Sequence, residues 1–166
     1  MEPLQPVCAM CGRALSDHDK QVRFELPDPV LSSELKLNTP GTWLSHADAY
    51  TSVMMQVPGI APFVRALLPV RLDGGYSVTF GVWVAISPDD LQSTFKVWCD
   101  DDYANLVLNG VLANDVPPWK LLGAPVELRV RDIDHTPYCV SSTDESLETV
   151  LSTVWPHEEV LAALPD

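Results

Sequence analysis

Between Val64 and Leu72 every even position is apolar, while the odd positions include Arg65, Pro69 and Arg71. A period of two is the signature of a strand with one buried face. Pro69 has no amide to give to a ladder, which predicts an edge position or a strand near its end. The alternation resumes over Ser77–Ile86 with Val78, Phe80, Val82, Val84 and Ile86. Between the two runs, Asp73-Gly74-Gly75 supplies residues that tolerate the positive φ of a tight turn, which predicts a hairpin. A third strand is expected at Pro125–Arg131, where Val126, Leu128 and Val130 alternate with Glu127, Arg129 and Arg131. Weaker strand patterns occupy Gln21–Leu26 and Ser52–Val57.

Two segments change period. Ser87-Pro88-Asp89-Asp90 places a capping hydroxyl, a first-turn proline and two acids at the positive end of a helix. Leu91, Phe95 and Trp98 then share one face at spacings of four and three. Near the end, Ser142 and Glu145 have the spacing of a capping box. Leu147, Val150, Leu151 and Val154 follow as an apolar stripe, which Pro156 interrupts before a short helix over 157–164. Fifteen prolines in 166 residues is nearly twice the usual share of about 5%, so the elements are short. Hairpin strands followed by helices predict an α+β class. The expectation is a single domain over 1–166, with a mostly antiparallel sheet, two or three helices and an N-terminal cysteine knuckle. Residues 1–20 are a candidate metal-knuckle extension of it.

Charge narrows the list of partners. With 23 Asp and Glu against 10 Lys and Arg, the net charge is -13. Such a surface repels phosphate backbones and anionic lipids, so neither nucleic acid nor membrane is expected as a partner. A basic protein or a cation would be welcomed instead, and solubility alone is the plainer reading of the same charge. No basic-then-apolar leader and no run of about 20 apolar residues is visible. Four cysteines without a leader point to the reducing cytoplasm and argue against a disulfide framework.

Chemistry concentrates in a few places. Cys8 and Cys11 are separated by two residues and followed by Gly12, as in thiolate knuckles whose backbone amides point at the sulfurs. A structural zinc ion needs two further ligands, and His18, His46, Cys99, His135, Cys139 and His157 are the remaining candidates. His135 and Cys139 have the spacing of many second halves of zinc sites. The candidate metal set is therefore Cys8, Cys11, His135 and Cys139. Two packed free thiols, or a redox pair, are the alternatives for the same motif. Asp132, Asp134 and His135 stand close enough to bind a metal or shuttle a proton, or to form a capped turn. Asp100-Asp101-Asp102 lacks the alternate spacing of a calcium loop and reads as a solvated segment. No nucleophile elbow, phosphate-binding loop, dinucleotide fingerprint or zinc-protease motif is present.

Cys8-Ala9-Met10-Cys11-Gly12, then Pro62–Val70, then Phe80–Ser87, and later Asp134–Pro137 together resemble a family of uncharacterised bacterial proteins, domain of unknown function (DUF) 2199. The resemblance runs from about Cys8 to Tyr138, and it implies a bacterial origin and a shared fold but no activity. Two departures stand out. The family pattern often has a cysteine where this chain has Met54 and Met55, and a direct His-Pro where it has His135-Thr136-Pro137. If that cysteine were a ligand, the site here would be incomplete or rebuilt from Cys99 or Cys139. The functional expectation is a non-catalytic cytoplasmic interaction module, regulatory or immunity-type, whose acidic surface meets a basic partner. The rivals are a small metal- or thiol-dependent enzyme built from Cys8, Cys11, Asp132, Asp134 and His135, and a structural accessory subunit.

Overall fold

The structure is a computed structural model that describes residues 6–12, 14–32 and 39–164. In chain order the strands are β1 (Asp19–Arg23), β2 (Trp43–Leu44), β3 (Met54–Val57), β4 (Ala61–Leu72), β5 (Ser77–Ala85), β6 (Val107–Leu112), β7 (Pro125–Arg129), β8 (Tyr138–Ser141) and β9 (Val154–Trp155). The helices are α1 (Asp28–Ser32), α2 (Pro88–Val97), α3 (Glu145–Ser152) and α4 (His157–Ala163), more than the two or three that the capping signals announce. All the described strands join one sheet, mostly antiparallel, and with these helices the class is α+β.

The β4–β5 hairpin is the spine. Its ladder runs from Phe63↔Ala85 to Arg71↔Ser77, and it turns through Gly74 and Gly75 at φ 76° and 84°. That is the backbone for which glycine was expected at this turn. From β5 the chain continues antiparallel through β6, β7 and β8, and β8 returns to β4 in parallel at Leu67↔Tyr138. Strands β4 to β8 thus close a ring. The even positions of β4 and β5 pack with Leu108, Leu112, Val126 and Leu128 into the main core.

The opposite face of the hairpin is also buried. Phe63 and Trp83 pack with Val30, Met55, Val57 and Ala113 into a second cluster. Arg65, expected to face solvent, is only 1% exposed. Its guanidinium stacks 4.2 Å from the centre of the Trp83 ring. It donates to the carbonyls of Ala49 and Ser52 at 3.0 Å and of Phe24. Weaker bonds reach Glu25, Tyr50 and Gly81 at 3.3–3.4 Å. A buried cation is tolerated where its donors are met, and here all the acceptors but Gly81 belong to two loops that the arginine ties to the hairpin.

Of the two expectations for Pro69, the edge position needs correction, while the residue does lie toward the end of β4 at Leu72. Strand β4 lies inside the sheet, flanked by β3, β5, β8 and β9. The amides of Arg65 and Leu67 leave β4 away from β5, toward Val53 and Pro137. On that side β8 pairs at Leu67 and β9 at Arg71, so Pro69 falls in the gap between them, where no donor is required.

Two helix details differ as well. Ser87 caps α2 as expected, accepting from the Asp90 amide at 3.1 Å, but the buried side chains are Leu91 and Thr94, and Phe95 is exposed. The cap of α3 is Asp144, accepting from the Leu147 amide at 3.0 Å, while the Ser142 hydroxyl accepts from the Asp144 amide at 2.9 Å. Val154 leaves the α3 stripe to form β9.

Candidate metal centre

At the closed end of the β4–β5 hairpin, three parts of the chain converge. The first is the cysteine knuckle. Gly12 takes φ 75°, and its amide donates to the Cys8 carbonyl at 2.9 Å, folding the loop back so that both sulfurs face inward. The second is His18, held immediately before β1. Parallel pairing of Asp19 with Ser77 sets that strand against the hairpin, and the His18 carbonyl accepts from the Ser77 amide at 3.1 Å. The third is His157, the first residue of α4. Strand β9 runs parallel to the last residues of β4, with Trp155 opposite Leu72, which delivers His157 to Asp73. The His157 amide then donates to the Asp73 carboxylate at 3.2 Å, and that carboxylate takes the place of a helix cap.

Cys8, Cys11, His18 and His157 thereby bring their ligand atoms within 4.8 Å of one another. The Cys8 sulfur lies 3.5 Å from His157 Nε2, and the Cys11 sulfur lies 3.4 Å from His18 Nε2. A tetrahedron drawn with bonds of about 2.3 Å to sulfur and 2.05 Å to nitrogen has a sulfur–nitrogen edge of about 3.6 Å. The observed pairs fit that edge.

The outer nitrogens complete the picture. His18 Nδ1 faces the carbonyls of Ala14 and Leu15 at 3.1 and 3.2 Å, and His157 Nδ1 faces the Asp73 carboxylate. Each Nδ1 is thus placed to donate to oxygen, which leaves the Nε2 lone pairs directed at the sulfurs. Ligand histidines characteristically have this arrangement, with the outer N–H held by a carboxylate or backbone carbonyl. Tyr76, just past the turn, packs its ring 4.0 Å from His18 and 5.8 Å from His157.

The electrostatics agree with the geometry. The amides of Cys11 and Met10, and then the Cys11 thiol and His157, lower the Cys8 pKa to about 6, although burial opposes them. The hydrogen bond to Asp73 raises the pKa of His157, against desolvation, and the same contact lowers that of Asp73. Both imidazoles and Cys8 are buried, while Cys11 is partly exposed. Two sulfurs and two nitrogens in this arrangement can hold a metal ion.

The knuckle is therefore met by His18 and His157, not by His135 and Cys139. Tyr138 pairs with β4 at Leu67, whereas Asp73 lies six residues farther along. At about 3.3 Å per residue that is roughly 20 Å. His135 sits on an exposed turn, its Nδ1 at 3.2 Å from the Tyr138 hydroxyl and 3.8 Å from Asp132. Asp132 accepts from the Asp134 amide at 2.9 Å, so the pair forms the capped turn that was the alternative reading. Cys139 points into the core, where burial raises its pKa to about 12. Met54 and Met55 are also core residues; Met54 pairs with Val64, nine residues from Asp73 and on the order of 30 Å away. A cysteine there could not join this cluster. Asp100 caps a short 3₁₀ turn through the Asp102 amide at 3.1 Å, and Cys99 is exposed beside it.

The local signal for His18 was present, since it follows Cys11 by seven positions. His157, Asp73 and Tyr76 gave none, because only the sheet register brings them to the knuckle.

No helix among the described residues is long and apolar enough to cross a membrane. No curated protein and no solved structure matches the chain. Residues 7–150 match the model of a family described as an uncharacterized protein conserved in bacteria (DUF2199), and the chain belongs to that family.

Proposed function

We infer that this protein is a non-catalytic interaction module whose fold is fastened by a structural zinc ion at Cys8, Cys11, His18 and His157. The observation that carries the zinc reading is the convergence of all four donors with both outer imidazole nitrogens already placed against oxygen. A catalytic zinc keeps one coordination position open, whereas four protein ligands fill a tetrahedron. The acidic excess, 23 against 10, supports a basic protein partner, because opposite charge speeds encounter. All four cysteines are free, which suits the cytoplasm.

One feature favours a second reading. Cys8, His157 and Asp73 form a thiol–imidazole–carboxylate series, the order of a nucleophile, a base and its orienting acid. Burial of Cys8 and His157 leaves little access for a substrate, and the series gives no role to Cys11 or His18. The zinc reading uses all four.

The two separate cleanly by experiment. Iodoacetamide should leave Cys8 and Cys11 unmodified in the protein as purified and modify both after chelation. Rapid modification of Cys8 alone in untreated protein, with any thioester or peptide turnover lost in step, would establish the nucleophile instead. For the module reading, pull-down from bacterial extract should recover a basic protein at low salt and lose it at high salt. Recovery of nothing under either condition counts against it.

A further inference from the structure

Far from the metal centre, one flank of the molecule carries a groove that the zinc reading leaves unused. Helix α2 and strand β2 enclose a depression of about 340 Å³ between Trp43, Leu91 and Phe95. A second, of about 390 Å³, shares Phe95 and Lys96 with it and extends to Val53, Trp98 and Asp100. A third, of about 140 Å³, shares Val53 and Trp98 and ends at Ile133 and Asp134. The three adjoin one another across these shared walls. Phe95 is 61% exposed and Ile133 69%, and the Trp43 ring meets Phe95 edge-on at 5.8 Å. Trp43 and Trp98 are half-buried beside the exposed Phe95, and aromatic side chains in such a setting are the ones that anchor interfaces.

The charges beside this groove are one-sided. Asp100 and Asp134 line it, and Asp101, Asp102 and Asp132 stand on the same two turns. Among the described residues none of these five forms an ion pair with lysine or arginine; Asp132 meets only His135, at 3.8 Å. Lys96 is the one lysine or arginine among the lining side chains. An apolar channel beside unneutralised carboxylates is complementary to a chain segment that is apolar at its centre and cationic at its flanks.

We propose that this groove is the docking site for a partner protein, through a segment that presents an aromatic or leucine anchor flanked by lysine or arginine. The anchor seats between Trp43, Phe95 and Trp98, and the flanking cations meet Asp100–Asp102 and the 132–134 turn. The proposal rests on the interaction-module reading and names the surface and the partner chemistry for it.

The test is selection of a displayed random-peptide library on the untagged protein as purified, with Phe95→Asp as the comparison. Phe95 is exposed, so its replacement does not open a core. Enriched peptides are expected to carry one apolar anchor between basic residues and to weaken about tenfold or more on Phe95→Asp. They should also weaken on combined Asp100→Asn, Asp101→Asn and Asp102→Asn, in which asparagine still caps the 3₁₀ turn. Bound peptide should slow alkylation of Cys99, which lines the groove. Enriched peptides that bind wild type and Phe95→Asp equally overturn the groove while leaving the module reading in place. Enriched peptides without basic residues, or no enrichment at all, overturn the groove too, and the module reading then stands or falls on the pull-down.

Discussion

Arg65 shows how one side chain can hold two loops. Its guanidinium satisfies backbone carbonyls from residues 24–25, 49–52 and 81 while stacked on Trp83. Removing it would deprive the carbonyls of Phe24 and Ala49 of their donor, at about 1–3 kcal/mol for each that water cannot reach, while those of Glu25, Tyr50, Ser52 and Gly81 keep bonds to Trp83, Arg23 and the Phe24 amide. Arg65→Ala is therefore expected to lose about 2–5 kcal/mol in urea unfolding. Arg65→Lys should lose a large part of that, since an ammonium lacks the planar fork. An Arg65→Ala protein as stable as wild type would remove the arginine from this role. Tyr103 gives a pH prediction. Burial raises its pKa to about 12, and its hydroxyl donates to the His135 carbonyl. A folded pKa above the unfolded value of about 10 favours the neutral form. The resulting stability is full below pH 10 and is lost as pH rises from 10 toward 12. Absorbance titration of the phenolates should show one late-ionising tyrosine, absent in Tyr103→Phe.

At the scale of elements, the alternation of β4 and β5, their turn, β7 and the α2 cap were legible because each is a local pattern. Strands β6 and β8 were not. Val107 and Val111 place apolar residues on the exposed face of β6, which blurs its period, and β8 is short and pairs with β4 only at Tyr138. The Phe95 assignment failed because helical spacing gives a face but not its width, and Thr94 takes the buried position. The metal site divides along the same line. The knuckle and His18 are close in sequence, whereas His157 lies beyond residue 150, where the family match ends, and reaches the site only through β9. A metal held at this site would fasten particular elements. Chelation is expected to raise hydrogen exchange in residues 6–18 and in α4 while β4 and β5 stay protected, since their cores do not depend on the site. Uniform deprotection of the whole sheet would contradict this division.

For the whole molecule, two effects oppose each other. A core buried on both faces of the central hairpin suits a chain that folds without metal, unlike isolated zinc fingers. The net charge of -13 pushes the other way through self-repulsion, so moderate salt should raise the melting temperature. Zinc at the proposed site would add stability by binding only the folded state, about 4 kcal/mol when free metal is a thousandfold above its dissociation constant. For a chain of this size that amounts to roughly 8–16 °C in melting temperature. The acidic total spoke for a cationic partner from the start, but composition has no address. Only the fold gathers Asp100–Asp102 and the 132–134 turn around one aromatic groove.

The central claim is that the four donors hold a single structural ion. Its most direct test is the zinc content, by elemental analysis, of untagged wild-type protein beside Cys11→Ser, His135→Ala and Cys139→Ala. The expected result is about one zinc per chain in wild type, His135→Ala and Cys139→Ala, and a marked loss in Cys11→Ser. Metal-free wild type, or a Cys11→Ser protein that keeps its full complement, would contradict the account.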